Sequence, residues 1–300
     1  MPELPEVETV RRGVDAAFRG GQISAVEIYN PRTVRRHALG VTDFQQTLEG
    51  LRITGSGRRG KFMWLGLDDG RALVCHLGMS GQLHVVTDGR EAHKHLRARM
   101  RFTDGRELWF IDQRTFGYWE LAEMDGAVPK TIGHIAPDVF EAEFDPEASA
   151  ARLMQRRIEV KKALLDQTWI SGVGNIYADE ALWRSRLRGR RSGDSISKHK
   201  ALELLGHVKE VLTESLSVGG TSFDELYVDA RGEAGYFARE LAVYGREGQP
   251  CKRCGTGIRR EVIGDRSAHY CPKCQRLALP GNGRSQRDRS RANLTRLVRS

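Results

Sequence analysis

The chain has few of the features that would place it in a membrane or outside the cell. None of its apolar runs approaches the length of a membrane span, and its N-terminus has neither a basic leader nor an apolar signal core. Only 5 of its 300 residues are cysteine. Without an export signal, so few cysteines argue against a disulfide framework, because the cytosol keeps thiols reduced. We therefore expect a cytoplasmic protein with no membrane partner.

Positive charge is concentrated at the C-terminal end. The formal net charge is +9. Residues 277–300 hold six Arg against one Asp, and residues 251–276 hold seven Lys or Arg against two acids. The first 250 residues are therefore nearly neutral, and the basic end favours a polyanionic partner. For residues 277–300 alone, a solubilising and disordered tail is an equally good interpretation.

Hydrophobic periodicity predicts an α+β protein of several domains. A short amphipathic helix opens the chain, with Val7, Val10 and Val14 on one face. Short alternating runs broken by glycine then continue to about residue 122, which indicates an antiparallel β-sandwich or barrel. Helical patterns follow at about 147–166, 175–187 and 197–216.

Four of the cysteines have the spacing of a zinc site. Cys251, Cys254, Cys271 and Cys274 form C-x2-C-x16-C-x2-C, and four thiolates in two tight pairs match one tetrahedral zinc ion. Such a closed site has no open coordination position, so its zinc is expected to be structural. A redox dithiol and an iron–sulfur site are the alternatives. The intervening segment is long enough for a two-stranded hairpin that carries arginines, among them Arg266.

A glycine-containing turn precedes one of the predicted helices. Residues 172–175 read GVGN and lead into the helix that starts near Asn175. Such a turn at a helix N-terminus can hold a phosphate, although a G-x-G turn also serves close helix packing.

The second residue could be a nucleophile. Removal of Met1 would leave Pro2 with a free secondary amine, and an α-amine has a pKa of about 7.7–8.0. Attack on a sugar C1′ would give an iminium, and the neighbouring Glu3 could transfer protons. Spacing alone does not establish this chemistry.

Several motifs, in order, resemble those of bacterial formamidopyrimidine-DNA glycosylases. The N-terminal MPELPEVET is similar to the family's signature, and the resemblance extends over nearly the whole chain up to about residue 276. The further motifs are RRGKF at 58–62, HLGMSG at 76–81, DQRTFG at 112–117, GVGNIY at 172–177, GYFA at 235–238 and YGR at 244–246.

This resemblance implies a bifunctional glycosylase and AP lyase of base-excision repair that removes oxidised purines from damaged double-stranded DNA. It implies that Pro2 displaces the base and forms a Schiff base, and that Glu3 transfers protons at the sugar. Lys61 would assist β-elimination, and Arg266 would assist δ-elimination.

The resemblance also implies a set of DNA contacts. Met79, Arg114 and Phe116 would fill the gap left by the extruded nucleotide. Other DNA-binding positions map to His95, Arg156, Lys161, Asn175 and Tyr244. The motif around Arg114 departs from the family in having Gln113 and Thr115, so a second charge beside Arg114 is missing.

The resemblance implies a monomer with four parts. Residues 1–130 form an N-terminal catalytic β-sandwich domain and residues 131–241 a helix–two-turns–helix DNA-binding domain. Residues 242–276 form a zinc finger and residues 277–300 a basic tail. Nucleoid association in a bacterial cytoplasm would follow from DNA binding.

Two other functions remain open at this point. The sister endonuclease VIII-type activity acts on oxidised pyrimidines, but Leu4 and the segment Asp229–Phe237 favour the purine enzyme. A non-catalytic zinc-ribbon DNA-binding protein would need the basic hairpin but not an accessible Pro2. A retained Met1 would make Pro2 an amide, so the active form is expected to begin at Pro2.

Overall fold

A computed structural model describes residues 2–89, 91–220 and 241–277 of the chain. The predicted basic tail beyond residue 277 and the segment Asp229–Phe237 lie outside the described residues. The helices are α1 Leu4–Phe18, α2 Gly40–Leu48, α3 Pro146–Met154, α4 Val160–Leu165, α5 Asn175–Arg184 and α6 Lys198–Ser217. None of these helices is long and apolar enough to cross a membrane.

Helix α1 begins with reciprocal hydrogen bonds between Glu3 and Glu6. The Glu6 carboxylate accepts from the Glu3 backbone N–H at 2.9 Å, while the Glu3 side chain accepts from the Glu6 N–H. This capping box satisfies two backbone donors at the helix start. The predicted apolar face is buried, with Val7, Val10 and Val14 each no more than 4% exposed.

Two antiparallel sheets form the N-terminal sandwich. The strands are β1 Ile23–Ile28, β2 Ile53–Arg59, β3 Phe62–Leu67, β4 Arg71–His76, β5 Gly81–Val86, β6 Leu96–Phe102, β7 Glu107–Asp112, β8 Tyr118–Asp125 and β9 Val128–Pro129. One sheet has the strand order β1-β6-β7-β5 and the other β2-β3-β4-β8-β9. Buried side chains of both sheets and of α1 share one hydrophobic cluster.

Strand β6 shows why the alternating pattern works. Its apolar residues are buried, and its arginines lie on the opposite face. Arg99 and Arg101 form ion pairs there with Glu27 on β1 and Glu107 on β7. The arginines therefore form a charged outer face, with acids of the flanking strands as their partners.

Helices α3 to α6 enclose a second hydrophobic cluster. The predicted single helix over 147–166 is wrong, because the structure has two short helices, α3 and α4, with a break at residues 155–159. Within the break, Glu159 makes an isolated antiparallel bridge with Ser192, and the Arg156 carbonyl accepts from Asp194 N–H at 3.0 Å. Tertiary pairing therefore overrides helical periodicity here.

The four-cysteine segment folds as the expected hairpin. Strands β10 Arg259–Ile263 and β11 Arg266–Tyr270 pair antiparallel, and the cysteines flank them. The predicted α+β fold class is confirmed, with antiparallel sheets, a helical region and a four-cysteine hairpin.

Glu8 on α1 is the centre of a cluster of arginines. Its carboxylate accepts hydrogen bonds from Arg11 at 2.9 Å, Arg12 at 2.7 Å and Arg58 at 3.0 Å. Arg58 also donates to the fully buried carboxylate of Asp138 at 2.6 Å. The cluster therefore ties α1 to strand β2 and to the segment that leads into the helices.

We expect Glu8→Gln to destabilise the protein near neutral pH. Burial opposes ionisation of Glu8, but Arg11 and Arg58 outweigh it and lower the pKa of this carboxyl to about 2. The stabilisation is therefore present above about pH 4.5 and is lost as the pH falls towards about 2. Urea unfolding should show a loss of about 2 kcal/mol at neutral pH.

The control for this variant is Glu123→Gln, because Glu123 makes an exposed ion pair with Lys130. This substitution is expected to leave the unfolding free energy unchanged. An equal effect of the two substitutions, or a Glu8→Gln effect that persists without change below about pH 4, would contradict the assignment.

Candidate functional site

The N-terminal residues lie where the sandwich meets the helices. Pro2 and Glu3 are buried, and the Glu3 side chain is 2% exposed. The Leu4 backbone N–H donates to the Gly172 carbonyl at 3.1 Å, and the Leu4 side chain belongs to the hydrophobic cluster of the helices. The start of α1 is therefore held by residues about 170 positions away.

Two glycines make room for this contact. A Cβ at Gly174 would lie 1.9 Å from the Glu3 carboxyl carbon, and one at Gly172 would lie 2.4 Å from Leu4 Cδ1. Gly172 also has a φ of +85°, which favours glycine. The G-x-G turn thus serves close packing against the N-terminal residues. The carboxylate at the N-terminus of α5 is that of Glu3, which accepts from Ile176 N–H at 3.4 Å.

Lys61 reaches the same place from the turn between β2 and β3. A Cβ at Gly60 would lie 2.6 Å from Ser171 Cβ, so this turn packs directly on the turn that precedes α5. The buried Asp138 fixes the β2–β3 turn by accepting from Gly60 N–H at 3.1 Å. Lys61 itself is 8% exposed.

A cavity of about 290 Å³ opens beside these residues. Lys61 and Arg266 both line it, together with Gly174 and Asn175. The structure therefore brings the predicted catalytic cations of two separate regions to one cavity, next to the Glu3 carboxylate that packs on Gly174.

Burial shifts the titration of both Glu3 and Lys61. Desolvation raises the pKa of Glu3 to about 7, although the charge of Lys61 opposes the shift. Desolvation also lowers the pKa of Lys61, with Arg266 acting in the same direction and Glu3 against it. One oxygen of Glu3, Oε2, is buried without a hydrogen-bond partner among the described residues. The site thus holds a carboxyl that can take up or release a proton near neutral pH.

His76 is a site residue that the sequence analysis did not single out. It lines the cavity with Lys61, and burial followed by the charge of Lys61 lowers its pKa to about 4. Its Nδ1 accepts from Gly78 N–H at 3.1 Å, so we assign the proton of the neutral ring to Nε2. The sequence feature that could have identified His76 is its place in the motif that contains Met79.

Arg266 lies at the start of β11, on a finger that is fastened to α4 and α5. Asp179 accepts from the His269 backbone N–H at 2.8 Å and from Lys161 Nζ at 2.5 Å. Lys161 Nζ also donates to the Ser267 carbonyl at 2.6 Å. Lys161 is therefore completely buried as a tether of the finger, whereas its predicted role places it on the DNA surface.

Asn175 and Tyr244 lie beside the hairpin that carries Arg266. Asn175 Nδ2 donates to Ser267 Oγ at 3.5 Å, and the ring of Tyr244 meets that of His269 edge-on at 4.9 Å. Glu180 on α5 accepts from the backbone N–H of Tyr244 at 2.9 Å and from the two preceding residues. These contacts hold Asn175 and Tyr244 near Arg266.

Met79, Arg114 and Phe116 lie together on two adjacent loops. Arg114 Nη1 lies 3.6 Å from Met79 Sδ, and Phe116 is 48% exposed although it is aromatic. Between them, Thr115 has a φ of 54°, which is strained for a β-branched residue. The buried Asp112 joins the loops by accepting from Ser80 Oγ at 2.5 Å and from Gly117 N–H at 2.8 Å.

His95 and Arg156 lie outside the cavity lining. The His95 carbonyl accepts from Asp112 N–H at 3.0 Å, so His95 lies next to the loop that carries Arg114 and Phe116. Arg156 pairs with Asp166 at 2.7 Å and is partly exposed.

The four sulfurs of the finger fit one zinc ion. The Sγ atoms of Cys251, Cys254, Cys271 and Cys274 all lie within 4.8 Å of one another, and the shortest separations are 3.5 Å. Tetrahedral zinc with bonds of about 2.3 Å requires sulfurs roughly 3.8 Å apart. Cys75, by contrast, is buried in the sandwich, and desolvation raises the pKa of its thiol to about 12.

Comparisons with known proteins agree along the chain. Residues 1–119 match the formamidopyrimidine-DNA glycosylase N-terminal domain, residues 135–226 the formamidopyrimidine-DNA glycosylase H2TH domain, and residues 248–277 a zinc finger found in FPG and IleRS. The formamidopyrimidine-DNA glycosylase of Salinispora arenicola is 53% identical over 94% of this chain and 100% of its own length. The formamidopyrimidine-DNA glycosylase of Streptomyces coelicolor is 52% identical over 92% of this chain and 98% of its own length.

Solved structures of a relative have the same fold. The Lactococcus lactis Fpg in complex with abasic-site DNA superimposes with a TM-score of 0.83 at 33% identity, covering 92% of this chain and 100% of that one. The same Lactococcus lactis protein with a Fapy-dG containing DNA gives the same values.

We expect Glu3→Gln to stabilise the protein above neutral pH. The raised pKa of Glu3 means that the native state holds its proton more tightly than the unfolded chain. That contribution is fully present below about pH 4.5 and is lost as the pH rises through about 7. Gln cannot ionise, so urea unfolding should show a gain of about 1–2 kcal/mol at about pH 8.5.

The gain should shrink towards about pH 6, where native Glu3 is mostly protonated. Glu8→Gln provides the contrast, because it removes a carboxylate whose pKa is lowered and should destabilise at the higher pH. A loss of stability in Glu3→Gln at about pH 8.5 would show that ionised Glu3 is well accommodated.

Proposed function

The chain belongs to the formamidopyrimidine-DNA glycosylase family, and from this membership and the site geometry we propose how its residues divide the reaction. It is a DNA glycosylase and AP lyase of base-excision repair that binds damaged double-stranded DNA. The observation that carries the proposal is the burial of Glu3 beside Pro2, with Lys61 and Arg266 in the wall of the adjoining cavity.

In our proposal the Pro2 amine attacks the sugar C1′ of the damaged nucleotide. Its lone pair forms the N–C1′ bond while the glycosidic bond breaks and its electron pair leaves with the base. Loss of the amine proton and opening of the sugar ring then give an iminium between Pro2 and C1′. Glu3 supplies and recovers protons at the sugar, which its pKa of about 7 permits near neutral pH.

The iminium acidifies the neighbouring C2′ protons, and two eliminations then cut the strand. We propose that Lys61 assists β-elimination, because its lowered pKa leaves more of its amine neutral, and so able to accept a proton, than in an exposed lysine. Arg266 assists δ-elimination and holds the adjoining phosphate, which suits a guanidinium that stays charged.

The remaining predicted residues are assigned to the DNA surface. Met79, Arg114 and Phe116 fill the gap left by the extruded nucleotide, and the 48% exposure of Phe116 supports this role. His95, Arg156, Asn175 and Tyr244 contact the DNA. For Lys161 we propose an indirect role, because its ammonium is buried and holds the finger through Ser267 and Asp179.

One structural zinc ion is held by the four cysteines and fixes the finger that carries Arg266. We retain the domain division 1–130, 131–241, 242–276 and 277–300, with the separate hydrophobic clusters as its support. A monomer in the bacterial cytoplasm, associated with the nucleoid through DNA binding, completes the proposal.

Oxidised purines are the proposed substrates, and matched duplexes provide the test. One duplex carries 8-oxoguanine and the other thymine glycol at the same position. We expect faster strand cleavage at 8-oxoguanine under single-turnover conditions. Faster cleavage at thymine glycol would instead assign the endonuclease VIII-type activity.

We expect Gly174→Ala to abolish most of the activity. The new Cβ would overlap the Glu3 carboxyl group, so Glu3 and the adjacent Pro2 must move. Since a displacement of about 1 Å can reduce a rate 100-fold, trapping of the imine with borohydride should slow by about that factor.

The matched control is Gly206→Ala in α6, where a Cβ meets nothing within 4 Å. This variant should keep the wild-type trapping rate and gain up to about 1 kcal/mol of helix stability. Near-wild-type trapping in Gly174→Ala would mean that the contact between Glu3 and α5 does not position the nucleophile.

A further inference from the structure

The C-terminal end of α5 contacts the zinc finger through Trp183. The indole Nε1–H of Trp183 donates to Cys251 Sγ at 3.4 Å. Cys251 is 3% exposed, and the same sulfur also accepts from the Arg253 backbone N–H at 3.5 Å. A thiolate removed from water needs such donors, because each one offsets part of the lost hydration.

The zinc finger makes a second contact with α5, in which Arg253 of the finger donates to the helix. Arg253 Nη1 donates to the Trp183 carbonyl at 2.6 Å, and its Nη2 donates to the Arg184 carbonyl at 3.1 Å. Its guanidinium lies 3.8 Å from the centroid of the Trp183 ring. A cation at this position satisfies carbonyls at the end of α5 and complements the negative end of the helix dipole.

The other end of α5 lies at the reaction site. The helix begins at Asn175, beside Gly174 and the Glu3 carboxyl group, and Arg184 is its last residue. Ten helical residues span about 15 Å. One short helix therefore contacts Glu3 at its first turn and a zinc ligand at its last.

We propose that Trp183 is a positioning residue of the zinc centre, whose indole N–H binds the Cys251 thiolate so that zinc loading and docking of the finger on α5 are one event. The indole disperses the charge of a zinc-bound thiolate and orients it. Arg253 secures the helix end from the finger side.

A packing role alone would not require this hydrogen bond. Trp169 provides the comparison, because it is a more deeply buried tryptophan of the same helical region whose Nε1–H donates to the Ser149 carbonyl at 3.1 Å. Trp169→Phe thus removes an indole donor from the same region without touching a zinc ligand.

The first test replaces zinc by Co²⁺ in the full-length protein and records the sulfur-to-cobalt charge-transfer absorption. Removing a hydrogen bond from a thiolate raises the energy of its lone pairs, so Trp183→Phe should shift the band to longer wavelength. Trp169→Phe should leave the band at the wild-type position. An unchanged band in Trp183→Phe, or an equal shift in both variants, would overturn the proposal.

Zinc retention is the second readout. Loss of an outer hydrogen-bond partner of a metal ligand typically weakens metal binding by about 10–100-fold. Competition with a chromogenic chelator should therefore show zinc affinity about tenfold lower in Trp183→Phe than in Trp169→Phe. Equal affinities would contradict the coupling.

The wild-type chain offers a test that does not depend on a variant folding. With NMR-active cadmium in the four-cysteine site, a cadmium–proton correlation should connect the metal to one indole N–H, through the hydrogen bond to sulfur. The backbone N–H groups of Arg253 and Cys274, which donate to Cys251 and Cys271 at 3.5 and 3.4 Å, are the internal reference. Backbone cross-peaks without an indole cross-peak would refute the assignment.

Discussion

The packing of the Glu3 carboxyl group against Gly174 is the contact on which the rest of the site depends. It requires a glycine, because any Cβ would overlap the carboxyl group. It also removes Glu3 from water, which raises the pKa of this residue to about 7. One contact therefore joins the sandwich to the helices and places Pro2 at the junction, and in the proposed mechanism it keeps a carboxyl available for proton transfer. The same burial means that ionised Glu3 destabilises the folded protein, which is the cost of its proposed role.

The zinc finger is assembled on the same helix that Glu3 contacts. Asp179 in the middle of α5 binds the finger through His269 and Lys161, while Trp183 contacts a zinc ligand at the end of the helix. Arg266 consequently reaches the cavity that Lys61 enters from the sandwich. A separately folded finger on a loose linker would not fix this distance, so in the proposed mechanism the zinc ion holds Arg266 in place.

Local sequence patterns were sufficient to predict the elements in which nearby residues alone specify the structure. The alternation in β6, the apolar face of α1 and the spacing of the four cysteines each specify one structure. Helix α2 and strand β8 were not predicted, and the break between α3 and α4 depends on pairing with Ser192. Long-range contacts also limit what the sequence can predict at the site. The burial of Lys161 could not be predicted from its neighbours, because its partners Asp179 and Ser267 lie 18 and 106 positions away. The pKa of Glu3 likewise depends on its burial against α5, which no local pattern contains.

The proposed Pro2 nucleophile is tested by locating the covalent bond to DNA. The protein beginning at Pro2 is incubated with an 8-oxoguanine duplex and borohydride, and the trapped adduct is mapped by peptide mass spectrometry. A preparation that retains Met1 is treated in parallel, since its Pro2 nitrogen is an amide. We predict one adduct, on Pro2, that is absent when Met1 is retained. An adduct on Lys61, or equal trapping by both preparations, would contradict it.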